Sequence, residues 1–164
     1  MLTQSELKSR LHYNSETGIF TYLKQINNII KVGDVAGTLK SHGYIAISIN
    51  NKLYYAHRLV WLYVYNKLPE NTIDHINGNR CDNSLTNLRE ASKLENNRNS
   101  KINKNNTSGV KGVYYSKRNK NYVAQITLNY KTYYLGAFKN IHDAEALAIK
   151  SRKEHFQEFF NSNL

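Results

Sequence analysis

The sequence is poor in the residues that staple or stiffen a chain. Its 164 residues include one cysteine, Cys81, one proline, Pro69, and only 12 acidic side chains against 23 lysines and arginines. A single cysteine excludes an intramolecular disulfide framework and any thiolate-rich zinc site, and it fits a reducing compartment. No apolar run approaches the roughly 20 residues that span a bilayer. The polar start, MLTQSELKSR, has no signal-peptide apolar core. These absences set the expectation of a soluble, cytoplasmic chain with no membrane role. The acid deficit leaves a formal net charge of +11. That excess favours a polyanionic partner, either nucleic acid or an acidic membrane surface, and charge alone is equally compatible with a merely basic soluble protein.

What is present falls into three zones, which predict an α+β fold. The expected domains are residues 1–99, a basic linker at 100–108, and residues 109–164. In the first zone a short N-terminal helix pattern precedes a strand at Gly18–Tyr22. Gly43 to Ile49 alternates, with Tyr44, Ala46 and Ser48 on one side and Ile45, Ile47 and Ile49 on the other. Asn50-Asn51 then turns the chain into Leu53-Tyr54-Tyr55, which makes a small antiparallel sheet. Ala56 to Asn66 is apolar almost all round and predicts a buried helix that stops near Pro69. The order strand (Thr72–Ile76), polar loop (Asn77–Asn87), strand (Leu88–Ala91), capped helix (from Ser92) follows. Arg98 to Ser108 has no apolar periodicity and is expected to be extended or disordered without DNA. The last zone predicts strands at Lys111–Tyr115, Tyr122–Leu128 and Lys131–Phe138. Asn129-Tyr130 is the tight turn between the last two. A helix capped at Asn140 is expected to run to about Phe160, with Ala144, Leu147, Ala148 and Ser151 forming a small-residue face.

The residues that carry chemistry are Asp74-His75 on the first short strand, Asn87 before the second, and Asn96 in the first turn of the capped helix. A carboxylate and an amide oxygen are hard ligands, suited to Mg²⁺ or Mn²⁺ and poorly suited to zinc. Two protein ligands would leave octahedral positions for water and phosphate oxygens, as phosphodiester chemistry needs. A neutral imidazole such as His75 can take a proton from water near pH 7. Because Asp74 and His75 are sequence neighbours, a local twist or bulge is expected to aim both at one phosphate. Arg58 and Arg89 are each candidate phosphate clamps or solvated charges, with Arg89 favoured as part of the catalytic set. His57, at a helix start, suits capping or packing.

Thr72-Ile73-Asp74-His75-Ile76-Asn77-Gly78-Asn79, then Asn83-Ser84-Leu85-Thr86-Asn87-Leu88-Arg89, then Glu95-Asn96-Asn97 resemble the HNH family, whose active unit is a ββα-metal motif. Ala56-His57-Arg58-Leu59-Val60-Trp61 is similar to the segment that precedes this motif in phage and intron-encoded homing endonucleases. The resemblance implies that Asp74 and Asn96 hold one divalent metal, that His75 is the general base, and that Asn87 braces the loop and the His75 backbone. It also implies products with 5′-phosphate and 3′-hydroxyl ends. One such centre in a monomer would nick one strand of double-stranded DNA. A DNA-binding regulator without chemistry and an RNA-binding protein are the rival readings.

Ser108-Gly109-Val110-Lys111-Gly112-Val113-Tyr114-Tyr115, Asn121-Tyr122-Val123-Ala124-Gln125-Ile126, Tyr133-Tyr134-Leu135-Gly136-Ala137-Phe138 and Ala144-Glu145-Ala146 are similar to the Apetala-type (ethylene-response-factor) DNA-binding domain. That family lays a three-stranded sheet in the major groove and backs it with one helix. The alternation agrees: Ala124, Ile126 and Leu128 would face the helix, and Val123, Gln125 and Thr127 would face outward. By position, Tyr114, Ser116, Gln125, Thr127, Thr132 and Tyr134 would meet DNA, and Lys111, Lys117, Arg118, Lys120 and Lys131 would touch phosphates. The base-reading arginines and tryptophans of the plant relatives are replaced here by Tyr, Ser, Gln and Thr. Binding led by shape and backbone is therefore expected over bidentate guanine contacts. The alternative for this tyrosine-rich face is packing on the nuclease domain.

Overall fold

Hydrophobic residues at helical spacing in two short stretches, and alternating ones between them, assemble the first half of the chain. The computed structural model describes residues 1–100, 102, 103 and 105–160; residues 101 and 104 of the expected linker, and 161–164, lie outside the described residues. The chain divides into two compact units, Met1–Lys93 and Leu94–Leu164.

In the first unit, helix α1 (Gln4–Arg10) opens at Thr3, whose side chain accepts from the Glu6 N–H, and runs straight into β1 (Leu11–Tyr13). β1 pairs antiparallel with β2 (Phe20–Tyr22), the strand expected after Gly18. β3 (Thr38–Leu39), β4 (Ile45–Ile49) and β5 (Lys52–Tyr55) form a second antiparallel sheet in that order. Asn50 and Asn51 both take positive φ, 51° and 58°. Such a two-residue turn matches the twist of the flanking strands and fixes Ala46 opposite Tyr55.

Tyr55 leads directly into α2 (Ala56–Tyr65). Its Ala56, His57, Leu59, Val60, Trp61 and Leu62 are buried, whereas Val64 and Tyr65 are exposed, so the helix is apolar all round in composition but not in burial. It ends at Asn66, whose φ of 56° is left-handed, before the proline that was expected to stop it. The Asn side chain tolerates this conformation where most residues would not. Leu7, Leu11, Tyr13, Phe20, Ile47, Leu59, Val60, Ile73 and Leu88 share one hydrophobic core, which therefore anchors the hairpin β6 (Thr72–His75) and β7 (Leu88–Ala91). Helix α3 (Lys93–Arg98) follows within two residues.

The second unit contains an antiparallel sheet of β8 (Val113–Ser116), β9 (Asn121–Leu128) and β10 (Lys131–Phe138), with β9 central. Asn129 and Tyr130 turn β9 into β10 with positive φ at both residues. Helix α4 (Ile141–Phe156) is capped by Asn140, which accepts from His142 N. It buries Ala144 and Ala148 against Val113 and Ala124. The small residues allow this close approach. The helix ends at Phe156, short of the expected Phe160, and a 3-10 turn covers Gln157–Phe159. Before β8 the described part of the expected linker is ordered into turns. Asn106 accepts from Ser108 N and Gly109 N and donates to Val110 O and Val113 O. A side-chain amide thus supplies the partners that a regular element would have given. Among the described residues no helix is long and apolar enough to cross a membrane.

One close approach ties the β1–β2 turn to the loop between β6 and β7. A Cβ placed on Gly18 would stand 2.3 Å from the backbone of Asn83 and of Ser84, and φ there is +74°. Gly18→Ala is expected to destabilise the first unit by about 2–5 kcal/mol through combined strain and overpacking, read as a lowered urea midpoint.

Candidate active site

The hairpin register places Asp74 opposite Arg89 and His75 opposite Leu88. Side chains of directly opposed residues leave the sheet on the same face, so Arg89 meets Asp74. Its Nε and Nη2 donate to Asp74 Oδ2 at 2.9 and 2.7 Å. The Asp74 side chain is 4% exposed and that of Arg89 16%. Arg89, expected as a phosphate clamp, is thus turned onto the carboxylate. Arg58 reaches the Pro69 carbonyl at 3.5 Å.

No register shift marks β6, so the strand carries no bulge at Asp74-His75. His75 is instead the last residue of the strand, and its carbonyl accepts from Gly78 N at 2.8 Å to open a turn. At a strand end its ring is released from strict alternation with Asp74.

The β6–β7 loop is rich in Asn and Asp because it is closed by side chains. Asn87 Oδ1 accepts from Asn77 N at 2.9 Å, and its Nδ2 donates to Asp82 O at 2.7 Å. Its own carbonyl accepts from Ile76 N. Asp82 takes Ser84 Oγ and N on one oxygen and Asn77 Nδ2 on the other. Burial works to raise the Asp82 carboxyl, but these hydrogen bonds outweigh it and hold the group below the usual carboxylate range. Asn83, 2% exposed, donates from Nδ2 to Cys81 O, and Tyr13 Oη donates to Asn83 O at 2.8 Å. The amide oxygen of Asn83 therefore faces His75 Nε2, 3.2 Å away.

With the Asn83 amide oxygen as acceptor, a neutral His75 ring that makes this hydrogen bond carries its proton on Nε2. Burial pushes the His75 pKa down, against the opposing pull of Asn83, Asp74 and Asp82. The ring is 5% exposed.

Sequence reasoning missed Asn83, which is indistinguishable by type from its Asn and Asp neighbours. It also set aside His57. The structure puts the His57 ring 5.3 Å from that of His75, nearly perpendicular to it. Burial first, with His75 and Arg58 adding to it, lowers the His57 pKa to about 3. A histidine among the apolar residues of Ala56–Trp61 was the available signal.

Asn96 lies half-buried on α3 in the second unit. The expected DNA-facing residues of that unit fall into three groups. Register places Tyr114 opposite Val123, Ser116 opposite Asn121, Gln125 opposite Tyr134 and Thr127 opposite Thr132, so all six expected contacts share one face. Tyr134 is 68% exposed and Tyr114 43%. Val123, expected outward on that face, is buried between its cross-strand neighbours Tyr114 and Ala137. Lys117, Arg118, Lys120 and Lys131 are exposed. Lys111 is the exception: its Nζ donates to the carbonyls of Arg98 and Ser100. Burial, with Arg152 nearby, lowers its pKa to about 8. An ammonium already held by backbone oxygens is a brace, not an open phosphate contact.

The donor set suits a hard cation. Asp74 offers a buried carboxylate whose Oδ2 accepts from Arg89. Among the described residues no three His, Cys, Asp or Glu side chains gather as a metal-ligand cluster. Truncating Arg89 to Ala should cost about 3–5 kcal/mol, because a buried carboxylate loses its guanidinium partner. Adding Asp74→Asn should recover part of that loss in a double-mutant cycle by chemical denaturation.

The HNH endonuclease family model matches residues 54–98, from β5 through α3. Protein 3.8 of Escherichia phage T7 is 33% identical over 104 residues, covering 63% of this chain and 85% of that protein. A solved structure described as DNA binding and cleavage by the HNH homing endonuclease I-HmuI is similar over 55% of this chain, at 23% identity and a TM-score of 0.41. This chain spans about half of that one, 51%. The matched segment holds the hairpin, the Asn-rich loop and the helix just described, and the chain belongs to the HNH endonuclease family.

Proposed function

We propose that the chain is a metal-dependent endonuclease that hydrolyses a phosphodiester bond of double-stranded DNA, with His75 as general base. The observation that carries this reading is the His75 ring, buried and in contact with Asn83 through Nε2, on the strand residue that follows the buried Asp74. A base must be neutral and aimed. The hydrogen bond aims it, and burial favours the neutral form. Nδ1 is then the atom that takes the proton from water. Asn87 acts by closing the loop that carries Asn83. Arg89 fixes the Asp74 carboxylate.

By family resemblance, Asp74 and Asn96 would hold one Mg²⁺ or Mn²⁺. When bound, such an ion stabilises charge on the phosphate and the leaving oxygen. One catalytic centre per chain acts on one strand, so a monomer on DNA nicks. The C-terminal unit grips the duplex in the Apetala manner: Tyr114, Ser116, Gln125, Thr127, Thr132 and Tyr134 lie on the sheet face turned to DNA. Lys117, Arg118, Lys120 and Lys131 reach the backbone.

The test is cleavage of a supercoiled plasmid that carries the gene's own flanking DNA, with Mg²⁺ or Mn²⁺ and an EDTA control. Nicked circles are expected. His75→Ala and Asp74→Ala should each slow nicking by about 10²–10⁴-fold while duplex binding persists. A wild-type chain that binds this DNA and never cuts it would leave the regulator reading standing. Binding should also weaken with salt, with a log–log slope of about −0.9 for each phosphate neutralised. Lys117→Ala and Arg118→Ala should each reduce that slope by about one across unrelated sequences.

A further inference from the structure

The Nε2 contact with Asn83 holds one edge of the His75 imidazole. The Cβ–Cγ torsion of a histidine is broad and roughly two-fold, so the rings packed against it bear on the orientation it keeps. Two such rings stand against His75. The Tyr44 ring centroid lies 5.8 Å from that of His75, inclined at 48°. The His57 centroid lies 5.3 Å away at 82°.

These walls are themselves immobilised. His57 sits in the first turn of α2, next to Leu59 and Val60, which have no exposed surface. It stacks on Tyr55 at 5.6 Å and 8°, and meets Tyr44 at 5.1 Å. Tyr55 is 5.6 Å from Tyr44, and its hydroxyl is 3.1 Å from His42 Nε2. The Arg80 guanidinium lies over Tyr44 at 4.8 Å and donates to His42 O. The β6–β7 loop is thereby tied back to the turn between β3 and β4. The array draws on the turn before β4, the end of β5, the start of α2 and the catalytic loop, all within the first unit.

His57 is 8% exposed, and its Nδ1 is buried without a hydrogen-bond partner. A polar atom in that state costs stability, so Nδ1 is not what recommends a histidine here, whereas the ring itself packs directly against His75.

We infer that His57, backed by Tyr44 and Tyr55, is a positioning residue that walls the His75 ring into the one orientation in which Asn83 holds Nε2. This inference rests on the reading of His75 as the general base. A ring at position 57 is required, and an imidazole is not.

The experiment compares His57→Phe, His57→Ala and Tyr44→Leu in the full chain, each checked for wild-type circular dichroism. Nitrogen-15 NMR of the histidine rings in the metal-free protein reads the His75 tautomer without any turnover. Wild type and His57→Phe are expected to show a single Nε2–H tautomer. His57→Ala and Tyr44→Leu should show averaged ring shifts. In nicking assays His57→Ala should lower kcat about 10- to 100-fold with KM unchanged, and His57→Phe should restore it.

A His57→Ala protein that keeps one tautomer and full kcat overturns the inference. So does a His57→Phe protein as impaired as His57→Ala, since the nitrogen would then carry the role. Should His57→Ala not fold, Tyr44→Leu supplies the same two readouts. If the wild-type chain cuts no DNA while the ring shifts change as described, the nuclease reading falls and the positioning of His75 stands.

Discussion

The structure around the site depends on one loop satisfying many of its own backbone groups with its own side chains, while burying Asn83, Ser84 and Asn87. Residues 76–87 leave β6 and return to β7 with few backbone-to-backbone partners of their own. Asn77, Asn79, Asp82, Asn83 and Asn87 supply the missing acceptors and donors. A buried donor or acceptor without a partner costs about 1–3 kcal/mol, so each amide in the set is coupled to the others. Asn83 is the member on which the chemistry turns. Its Nδ2 is taken by Cys81 O and its carbonyl by Tyr13, which leaves Oδ1 to orient His75. The His75 ring is thus tied to an amide eight residues away and, through it, to a tyrosine on β1.

The same economy explains why the N-terminal elements are present. Tyr13 reaches Asn83 only because β1 and β2 pack against the loop, and that packing needs a glycine at position 18. Leu85 N donates to Ser15 O at 2.9 Å from the same turn. The β3–β5 sheet supplies Tyr44 and Tyr55 to the rings beside His75. Elements that look peripheral to a ββα hairpin are therefore its supports, and their burial sets how rigidly the base is held.

How much of this was legible in the sequence follows from where each signal resides. Strands β7 and β10 and the start of α2 were readable because apolar periodicity and flanking turn residues agree there. The place of Asp74 and His75 on a short strand was legible as well. The pairing of Arg89 with Asp74 was not, because it depends on hairpin register, which a twelve-residue loop does not fix. Asn83 was hidden among chemically identical neighbours. His57 read as a packing residue, which describes its burial correctly but omits what it packs against. Lys111, placed at phosphate by its position in the Apetala-type resemblance, has its ammonium on two backbone carbonyls, which the sequence does not show.

The C-terminal unit follows a different rule from the nuclease half. Its core is small, with Ala124, Ala144 and Ala148 wholly buried beside Val113, so α4 lies close to the sheet and the opposite face bears the large side chains. That face has few charges: tyrosines, threonines and a glutamine, with Thr127 Oγ1 and Thr132 Oγ1 3.0 Å apart. The cations stand at its margins, in the β8–β9 turn and at the start of β10. Under the proposed nuclease reading, this neutral, hydrogen-bonding platform would supply the fit to a groove, and its rim of Lys117, Arg118, Lys120 and Lys131 the salt-sensitive part of the affinity. Such a division would give a grip that tolerates sequence variation.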